Sequence, residues 1–376
     1  MTSTMHTDSG NGPSAGARLA AVTDRGGLLV QAAVVPFATA RAAGRESGPL
    51  PGAPRLTQEQ SAAVIAMAMR APSLHNTQPW QFRLLGNAIE LRADADRWLR
   101  HSDPHGRELM ISCGAALFGL RLGLRSLGLL PVTELLPDLA QPGLAGRVRP
   151  AGHAAVNRVE AELIAAVPHR HTHRGEFAPG EVATRLLTAL AGDAAAEGAE
   201  LSLVDRPEVT DQLAGLTAAA AAGQRANPEI TAETRGWVRP PGSRARDGIP
   251  AWAIAHVSTT ADPPARLRLP QRDFGQQGSD QPGGVPPSAT AVLSTPSDTP
   301  ADWLRAGQAL HRLLLRAATR WVFASLQSQP LESPRYRQEV RELLGLTGYP
   351  QLLLEFGRSN TAPATPRRPQ VEMRAD

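Results

Sequence analysis

Apolar and polar positions in the first part of the chain predict a helix, a hairpin and a second, buried helix. Thr57 precedes an apolar run with Gln60 three residues later, which is the capping-box pattern of a helix start. Residues 81–94 predict two strands joined at Gly86–Asn87, a strong turn signal. The segment 107–128 carries apolar residues on most faces, which is typical of a buried helix.

A short strand and a linker follow, and the rest of the chain repeats the mixture of helices and strands. We predict the strand at residues 132–137 and a Pro- and Gly-rich linker over residues 138–150. Predicted helices follow at 154–167, 181–198, 301–327 and 335–345, with one or two more over 207–238. Predicted strands lie at 199–205, 288–295 and 349–357. Because these helices do not alternate strictly with strands, the order favours an α+β fold over a doubly wound sheet.

The division of the chain follows from these patterns. Residues 1–55 predict a disordered extension, residues 56–150 a first half, and residues 151–376 a second half. Residues 270–288 are dense in Pro, Gly and Gln, so they suit a mobile cover over a pocket. A long flexible insertion is the alternative interpretation of that segment.

Composition excludes several functions. All 39 basic residues are arginine, which removes lysine Schiff-base chemistry. The arginines are dispersed and aromatic residues make up 4% of the chain, so we expect no nucleic-acid partner. The single cysteine, Cys113, lies in a predicted core helix and is interpreted as a buried thiol. No apolar run reaches the roughly 20 residues of a membrane span, so we expect a cytoplasmic protein without a membrane partner.

Three polar segments are candidates for a site: "APSLHNTQPWQF" at 71–82, "HRHTHR" at 169–174 and "PRRP" at 366–369. In an extended segment Arg170, Thr172 and Arg174 share one face, and two guanidiniums with a hydroxyl suit a phosphate. The alternative is a solvated charge cluster in a loop.

The histidines offer a second alternative, because His169, His171 and His173, with Glu176, could bind a metal ion. This metal site is the less favoured interpretation, and we predict no metal. Four of the further histidines are interpreted as surface or capping residues: His75, His101, His105 and His153.

The motifs also carry a family resemblance. "APSLHNTQPWQF" and "RHTHRGEF" resemble two segments of the nitroreductase family of flavoproteins. "DPHGRELMISCGAAL", "GYPQLLLEFG" and "PRRP" are similar to its Acg-type subfamily of actinobacteria, whose protomers have twice the usual length. The resemblance covers roughly residues 55–370, and short motifs of this kind predict a family rather than prove it.

This resemblance implies a nitroreductase-like fold in which two fused halves form an internal pseudo-dimer around one FMN. The cofactor-binding residues that it implies are Pro72, Ser73, Asn76 and Gln78 from the first half, and Arg170, His171, Thr172, Arg174, Arg367 and Arg368 from the second. Ser73 and Asn76 would bond ribityl hydroxyls or flavin edge atoms, whereas Trp80 and Phe82 would anchor the loop in the core. His171 stands where the family usually has arginine, so one phosphate contact would depend on pH.

The implied function is that of an FMN-dependent oxidoreductase. The flavin would take a hydride, with NAD(P)H as the candidate donor, and pass two electrons to a small nitro, quinone or similar acceptor. The chemistry would centre on the flavin, so no catalytic side chain is predicted. The alternative from another class is a flavin-sequestering, stress-related binding protein with little turnover.

Overall fold

The chain folds into two four-stranded antiparallel sheets and the helices packed against them. The computed structural model describes residues 53–175, 177–254, 269, 270, 272, 274 and 287–374. The predicted N-terminal extension therefore lies outside the described residues up to position 52. Of the predicted cover at 270–288, only positions 270, 272, 274, 287 and 288 are described.

The first sheet has the order β1-β2-β4-β3. Its elements are α1 (Gln58–Ala68), β1 (Trp80–Leu85), β2 (Ala88–Ala93), α2 (Arg107–Ser126), β3 (Leu129–Leu135) and β4 (Leu144–His153). The capping box of Thr57 and Gln60 is confirmed at the start of α1. The predicted hairpin is confirmed as β1 and β2, and Trp80 and Phe82 are buried in the core as expected.

The second sheet has the order β5-β8-β10-β9. The elements of this half are α3 (Arg158–Ala166), α4 (Thr184–Ala196), β5 (Glu200–Val204), α5 (Pro207–Ala226), α6 (Pro228–Gly236), β6 (Val238–Arg239), β7 (Ile249–Pro250), β8 (Ala289–Thr295), α7 (Pro300–Ala318), β9 (Val322–Leu326), α8 (Gln329–Glu332), α9 (Pro334–Leu343) and β10 (Tyr349–Arg358). Strands β6 and β7 form a separate parallel pair.

The two halves repeat one arrangement. Each has a helix, two strands, a long helix and two more strands, and in each sheet the neighbours run first, second, fourth, third. The repeat is obscured because the second half inserts α5, α6, β6 and β7 between its first two strands. It also differs at one connection: residues 69–79 join α1 to β1, whereas residues 197–199 alone join α4 to β5.

The long helices of the two halves, α2 and α7, cross at paired glycines. A Cβ atom on Gly114 would overlap the carbonyl oxygen of Leu304, and a Cβ on Gly307 would overlap that of Ile111. Each glycine thus meets the residue three positions before the other, which is the reciprocity of a two-fold contact. Helix α2 is long and apolar enough to cross a membrane, but 89% of the qualifying window is buried, as in a core helix. Cys113 in this helix is a buried free thiol, as expected.

Two predictions of secondary structure are wrong. The expected linker at 138–150 contains most of β4, an interior strand that pairs with both β2 and β3. Leu144, Ala145 and Val148 are buried in it, and Pro150 is tolerated opposite an irregularity of β3. The boundary expected at residue 150 therefore falls inside a strand.

The expected helix over 301–327 ends at Ala318. The chain turns at Trp321, which has a left-handed φ of 54°, and continues as β9. Pairing with β10 decides this segment, because a short apolar run alone does not distinguish strand from helix.

Candidate functional site

The loop after α1 is held in a strained conformation. His75, Asn76 and Gln78 all have left-handed φ values, at 49°, 56° and 51°. Non-glycine residues rarely adopt this region, and it persists where surrounding contacts impose it. The Gln78 backbone donates to Ser73 Oγ at 2.9 Å, and the Asn76 amide donates to the carbonyl of Gly248 at 2.9 Å.

The C-terminal segment closes on this loop. Arg367 donates to Asn76 Oδ1 at 3.1 Å and to the carbonyl of Met69 at 2.9 Å. The Arg368 backbone donates to Gln78 Oε1 at 2.9 Å, and its guanidinium lies 3.6 Å from Asp94. Asn76, Gln78, Arg367 and Arg368 thus form hydrogen bonds or ion pairs with other protein groups, and these contacts stabilise the loop. Their expected contacts with a cofactor stay predictions.

The segment 169–174 reaches the same place from the second half. Arg170 donates to the carbonyl of Arg70 at 3.1 Å, and Arg367 donates to that carbonyl at 3.3 Å. Thr172 forms a parallel bridge with Ala324 of β9. The structure therefore brings the three candidate segments together around the end of α1.

Four arginines gather there: Arg70, Arg170, Arg174 and Arg367. Within the described ranges, none of them forms an ion pair with a carboxylate, and Nε and Nη1 of buried Arg170 have no hydrogen-bond partner. Burial, then Arg174 and Arg70, lowers the pKa of Arg170 to about 10. Burial lowers the pKa of Arg174 to about 10 and that of Arg367 well below its usual range. Arg170 and Arg174 stay charged at neutral pH, so the positive charge of the cluster is not compensated by an ion pair with any carboxylate of the described residues.

A pocket opens beside the arginines, with about 720 Å³ of empty space including its mouth. Pro72, Ser73 and His75 line one side, and Thr172, Arg174 and Ser325 line another. The remaining wall includes the apolar residues Ile111, Leu310 and Leu352. Such a mixture of apolar walls and a few polar groups is typical of a small-molecule site.

His75 is buried in this pocket wall, so its interpretation as a surface or capping residue is wrong. Neither ring nitrogen has a hydrogen-bond partner, and the ring lies edge-on to Phe274, with 5.7 Å between centroids. Burial and then Arg272 lower its pKa to about 3, so the imidazole is neutral at pH 7. Its strained backbone places a neutral ring with two unpartnered nitrogens against the pocket.

The sequence patterns missed several pocket residues. Glu108 and Ser112 come from the first turns of α2, and burial raises the pKa of Glu108. Arg272 forms an ion pair with Glu332 at the wall and donates to Ser328 Oγ at 3.3 Å. The resemblance of "DPHGRELMISCGAAL" covered Glu108 and Ser112 and could have indicated them; no motif indicated Arg272.

His171 and His173 lie beside the arginine cluster, in the same segment as Arg170 and Arg174. The ring of His171 packs on Phe323 at 4.2 Å between centroids, and burial lowers its pKa to about 4. The expected phosphate contact of His171 is untested and stays a prediction. His101, His105 and His153 are exposed, as expected. No group of three potential metal ligands occurs among the residues that the structure describes, and Glu176 lies outside them.

The fold and site together define a class: an α+β protein with a pocket beside a basic cluster, formed by residues of both halves. No protein-family model matches the chain. A Mycobacterium tuberculosis H37Rv protein, provisionally named an NAD(P)H nitroreductase, is 34% identical over 320 residues, covering 81% of this chain and 88% of the relative. The Acg protein of the same strain, provisionally named likewise, is 26% identical over 332 residues, covering 85% and 96%.

Two solved structures are also similar to the chain. The FMN-dependent nitroreductase NfnB of Mycobacterium smegmatis, in complex with NADPH, has 16% identity and a TM-score of 0.36, covering 57% of this chain and 98% of NfnB. A nitroreductase with bound FMN from Desulfitobacterium hafniense has 14% identity and a TM-score of 0.35, covering 57% and 97%. The assignment rests on the sequence relatives: the chain belongs to the nitroreductase-like family, in its double-length Acg-type group.

Proposed function

We propose that the chain binds one FMN, with the phosphate at the arginine cluster of Arg70, Arg170, Arg174 and Arg367. The observation that carries this proposal is the uncompensated charge of that cluster, with two unpartnered N–H groups on buried Arg170. A phosphate monoester supplies the missing negative charge and the acceptor oxygens that guanidinium donors require.

The adjoining pocket suits the rest of the cofactor. Its apolar walls fit an aromatic ring system, whereas Ser73, Thr172 and Ser325 offer hydroxyls to a polar chain or ring edge. Pro72 and Ser73 border the pocket directly, whereas Asn76, Gln78, Arg367 and Arg368 hold the loop in its strained conformation. In this proposal Pro72 and Ser73 contact the cofactor, whereas Asn76, Gln78 and Arg368 act mainly through the loop. Arg367 holds the loop and also adds its positive charge to the phosphate site.

The reaction follows from the family. When bound, FMN would supply the chemistry of hydride uptake from NAD(P)H and two-electron transfer to a nitro, quinone or similar acceptor. The chain's own residues bind the phosphate, orient the ring and restrict the entry of water. Neutral His75 could donate or accept one hydrogen bond inside the pocket without adding charge. We place this reaction in the cytoplasm.

One cofactor per chain follows from an internal pseudo-dimer. The repeated sheet order and the reciprocal glycines Gly114 and Gly307 support two halves related like subunits of a dimer. The second half joins α4 to β5 through residues 197–199 alone, so it lacks a counterpart of the strained loop. A second, symmetry-related flavin site would be incomplete.

The test compares FMN with riboflavin, which lacks the phosphate. Flavin fluorescence quenching should give one FMN per chain and at least tenfold weaker binding of riboflavin, because charge-assisted bonds are worth about 1.5–3 kcal/mol. Equal affinities for FMN and riboflavin would refute the assignment of the arginine cluster as the phosphate site. Two bound flavins per chain would refute the model of an internal pseudo-dimer with one site.

A second candidate function is flavin sequestration with little turnover. It is favoured by the contacts of Phe274 with His75 and of Arg272 with Glu332, because both narrow the pocket. Anaerobic stopped-flow mixing with NADPH and NADH decides between the two functions. Rapid bleaching of the flavin absorbance supports a reductase, and a persistent yellow protein supports storage.

A further inference from the structure

A second cavity lies between α5, α6 and α8, with about 690 Å³ of empty space including its mouth. Gln224 and Arg225 reach it from the end of α5, Arg235 from α6, and Gln329 from α8. Arg272 lines both this cavity and the first pocket. The two spaces are therefore neighbours that share one side chain as a partition.

The acceptor groups at the partition are already used. Glu332 accepts from Gln224 Nε2 at 2.7 Å, from Ser328 Oγ at 2.7 Å and from Arg272. Gln224 Oε1 accepts from Arg272 Nη1 at 3.4 Å. Glu332 is thus engaged by its neighbours, and no carboxylate occurs among the described residues that line the cavity.

The donor groups of the cavity, in contrast, are in surplus. Nε2 of Gln329 has no hydrogen-bond partner although this residue is 1% exposed. Arg225 and Arg235 are exposed and form no ion pair within the described part of the chain. The acidic side chains of α6 are engaged elsewhere, since Glu229 lies 3.2 Å from His101 and Glu233 accepts from Ser102 Oγ at 2.7 Å.

Two full positive charges and a buried amide without acceptors call for a ligand rich in acceptor oxygens. Guanidinium groups pair with phosphate through parallel hydrogen bonds, which makes phosphate the best match to Arg225 and Arg235. A buried amide donor left unpaired is costly, and a phosphate oxygen would satisfy Gln329. The position next to the proposed flavin pocket suits a ligand that spans both spaces.

We infer that this second cavity binds a phosphate group of the nicotinamide dinucleotide whose other end reaches the proposed flavin pocket past Arg272. The inference rests on the proposed function for its donor role. It adds a subsite outside the cluster that receives the FMN phosphate, and it predicts a preference for the dinucleotide that carries the extra phosphate.

The experiment uses the double variant Arg225→Gln/Arg235→Gln in flavin-loaded protein. We expect KM for NADPH to rise about tenfold or more with kcat unchanged, because binding away from the reacting atoms is equal in ground and transition states. Calorimetry with 2′,5′-ADP, a redox-silent phosphate probe, should show the same loss of affinity. Gln329→Glu, which adds negative charge at nearly equal volume, should weaken 2′,5′-ADP binding as well.

The matched control is Arg206→Gln. Arg206 is an exposed arginine at the opposite end of α5, about 30 Å away for a helix of this length. This control should leave KM and 2′,5′-ADP affinity unchanged, and FMN affinity should be the same in all variants.

An unchanged NADPH KM together with unchanged 2′,5′-ADP binding would overturn the inference. So would a rise in KM for an anionic acceptor such as 4-nitrobenzoate with none for NADPH, because the cavity would then serve the acceptor. Failure of the proposed function is separable, since calorimetry needs no turnover. If the chain binds no FMN, loss of 2′,5′-ADP binding in the double variant still supports the phosphate site, and absence of binding in the unmodified chain overturns it.

Discussion

Replacing Arg170 with methionine should move stability and cofactor affinity in opposite directions. Methionine removes the positive charge and retains much of the side-chain length. In the flavin-free protein this relieves the burial of an arginine whose Nε and Nη1 have no partner and which faces Arg70 and Arg174. In the flavin-bound protein the same change removes donors that the phosphate would use.

The gain in the flavin-free protein can be estimated. An unsatisfied buried polar group costs about 1–3 kcal/mol, whereas the lost bond to the carbonyl of Arg70, at 3.1 Å, is worth about 0.5–1.5 kcal/mol. The free energy of unfolding should therefore rise by about 0.5–1.5 kcal/mol. The loss on the cofactor side is about 1.5–3 kcal/mol, or roughly a ten- to 150-fold increase in the Kd for FMN.

The assay pairs denaturant unfolding of flavin-free protein with FMN titration by fluorescence quenching. Arg206→Met is the control, since Arg206 is exposed at the start of α5 and should move neither quantity. A variant of Arg170 that unfolds more easily without flavin and retains the FMN affinity would refute the reasoning. Arg170 would then be a structural residue and the cluster would not be a phosphate site.

Three further changes test the fold and the loop. Gly114→Ala should lower the free energy of unfolding by about 3 kcal/mol or more, because the new Cβ would overlap the backbone of Leu304. The control Gly215→Ala, in open space on α5, should raise it by up to about 1 kcal/mol. Equal urea midpoints for the two variants would contradict the close crossing. Burial raises the pKa of Asp103 to about 7 in the folded protein. As the pH rises, the unfolded chain therefore releases this proton before the folded protein does, and the stability of the wild-type protein falls between about pH 4 and pH 7. Asp103→Asn should therefore stabilise more at pH 8 than at pH 5 in urea unfolding, and a pH-independent difference would contradict the shifted pKa. Asn76→Ala, which removes amide bonds to two backbone carbonyls, should cost about 2 kcal/mol of stability; a fall in FMN affinity larger than that of the Arg170 variant would identify Asn76 as a direct contact.

Local signals predicted the elements that local interactions decide. Thr57 with Gln60 fixed the start of α1, and the turn at Gly86–Asn87 fixed the first hairpin. Strand β4 and the end of α7 depend on partners distant in sequence, so composition misled at Pro150 and periodicity misled at Trp321. The resemblance implied two fused halves, but their matching strand order is not visible in the sequence because α5 to β7 interrupt the second copy.

The sequence predicted which residues lie at the candidate site, but it predicted their individual contacts only in part. The resemblance implied one site for the loop, Arg170 and Arg367, and in the structure both arginines donate to the carbonyl of Arg70 at the start of that loop. Their contacts with a cofactor stay predictions. The resemblance did not reveal that Asn76 is held by backbone carbonyls, or that His75 turns inward. The positions of both side chains depend on the left-handed φ values of the loop, and no pattern of side chains in the sequence predicts those values.

The crossing of α2 and α7 has a genetic consequence. In a homodimer, one codon change alters both copies of an interface residue at once. Here Gly114 and Gly307 are encoded separately within one chain, so each side of their contact can mutate alone. Selection can therefore act on one half while the other keeps its sequence, so a short connection between α4 and β5 can coexist with the long loop after α1.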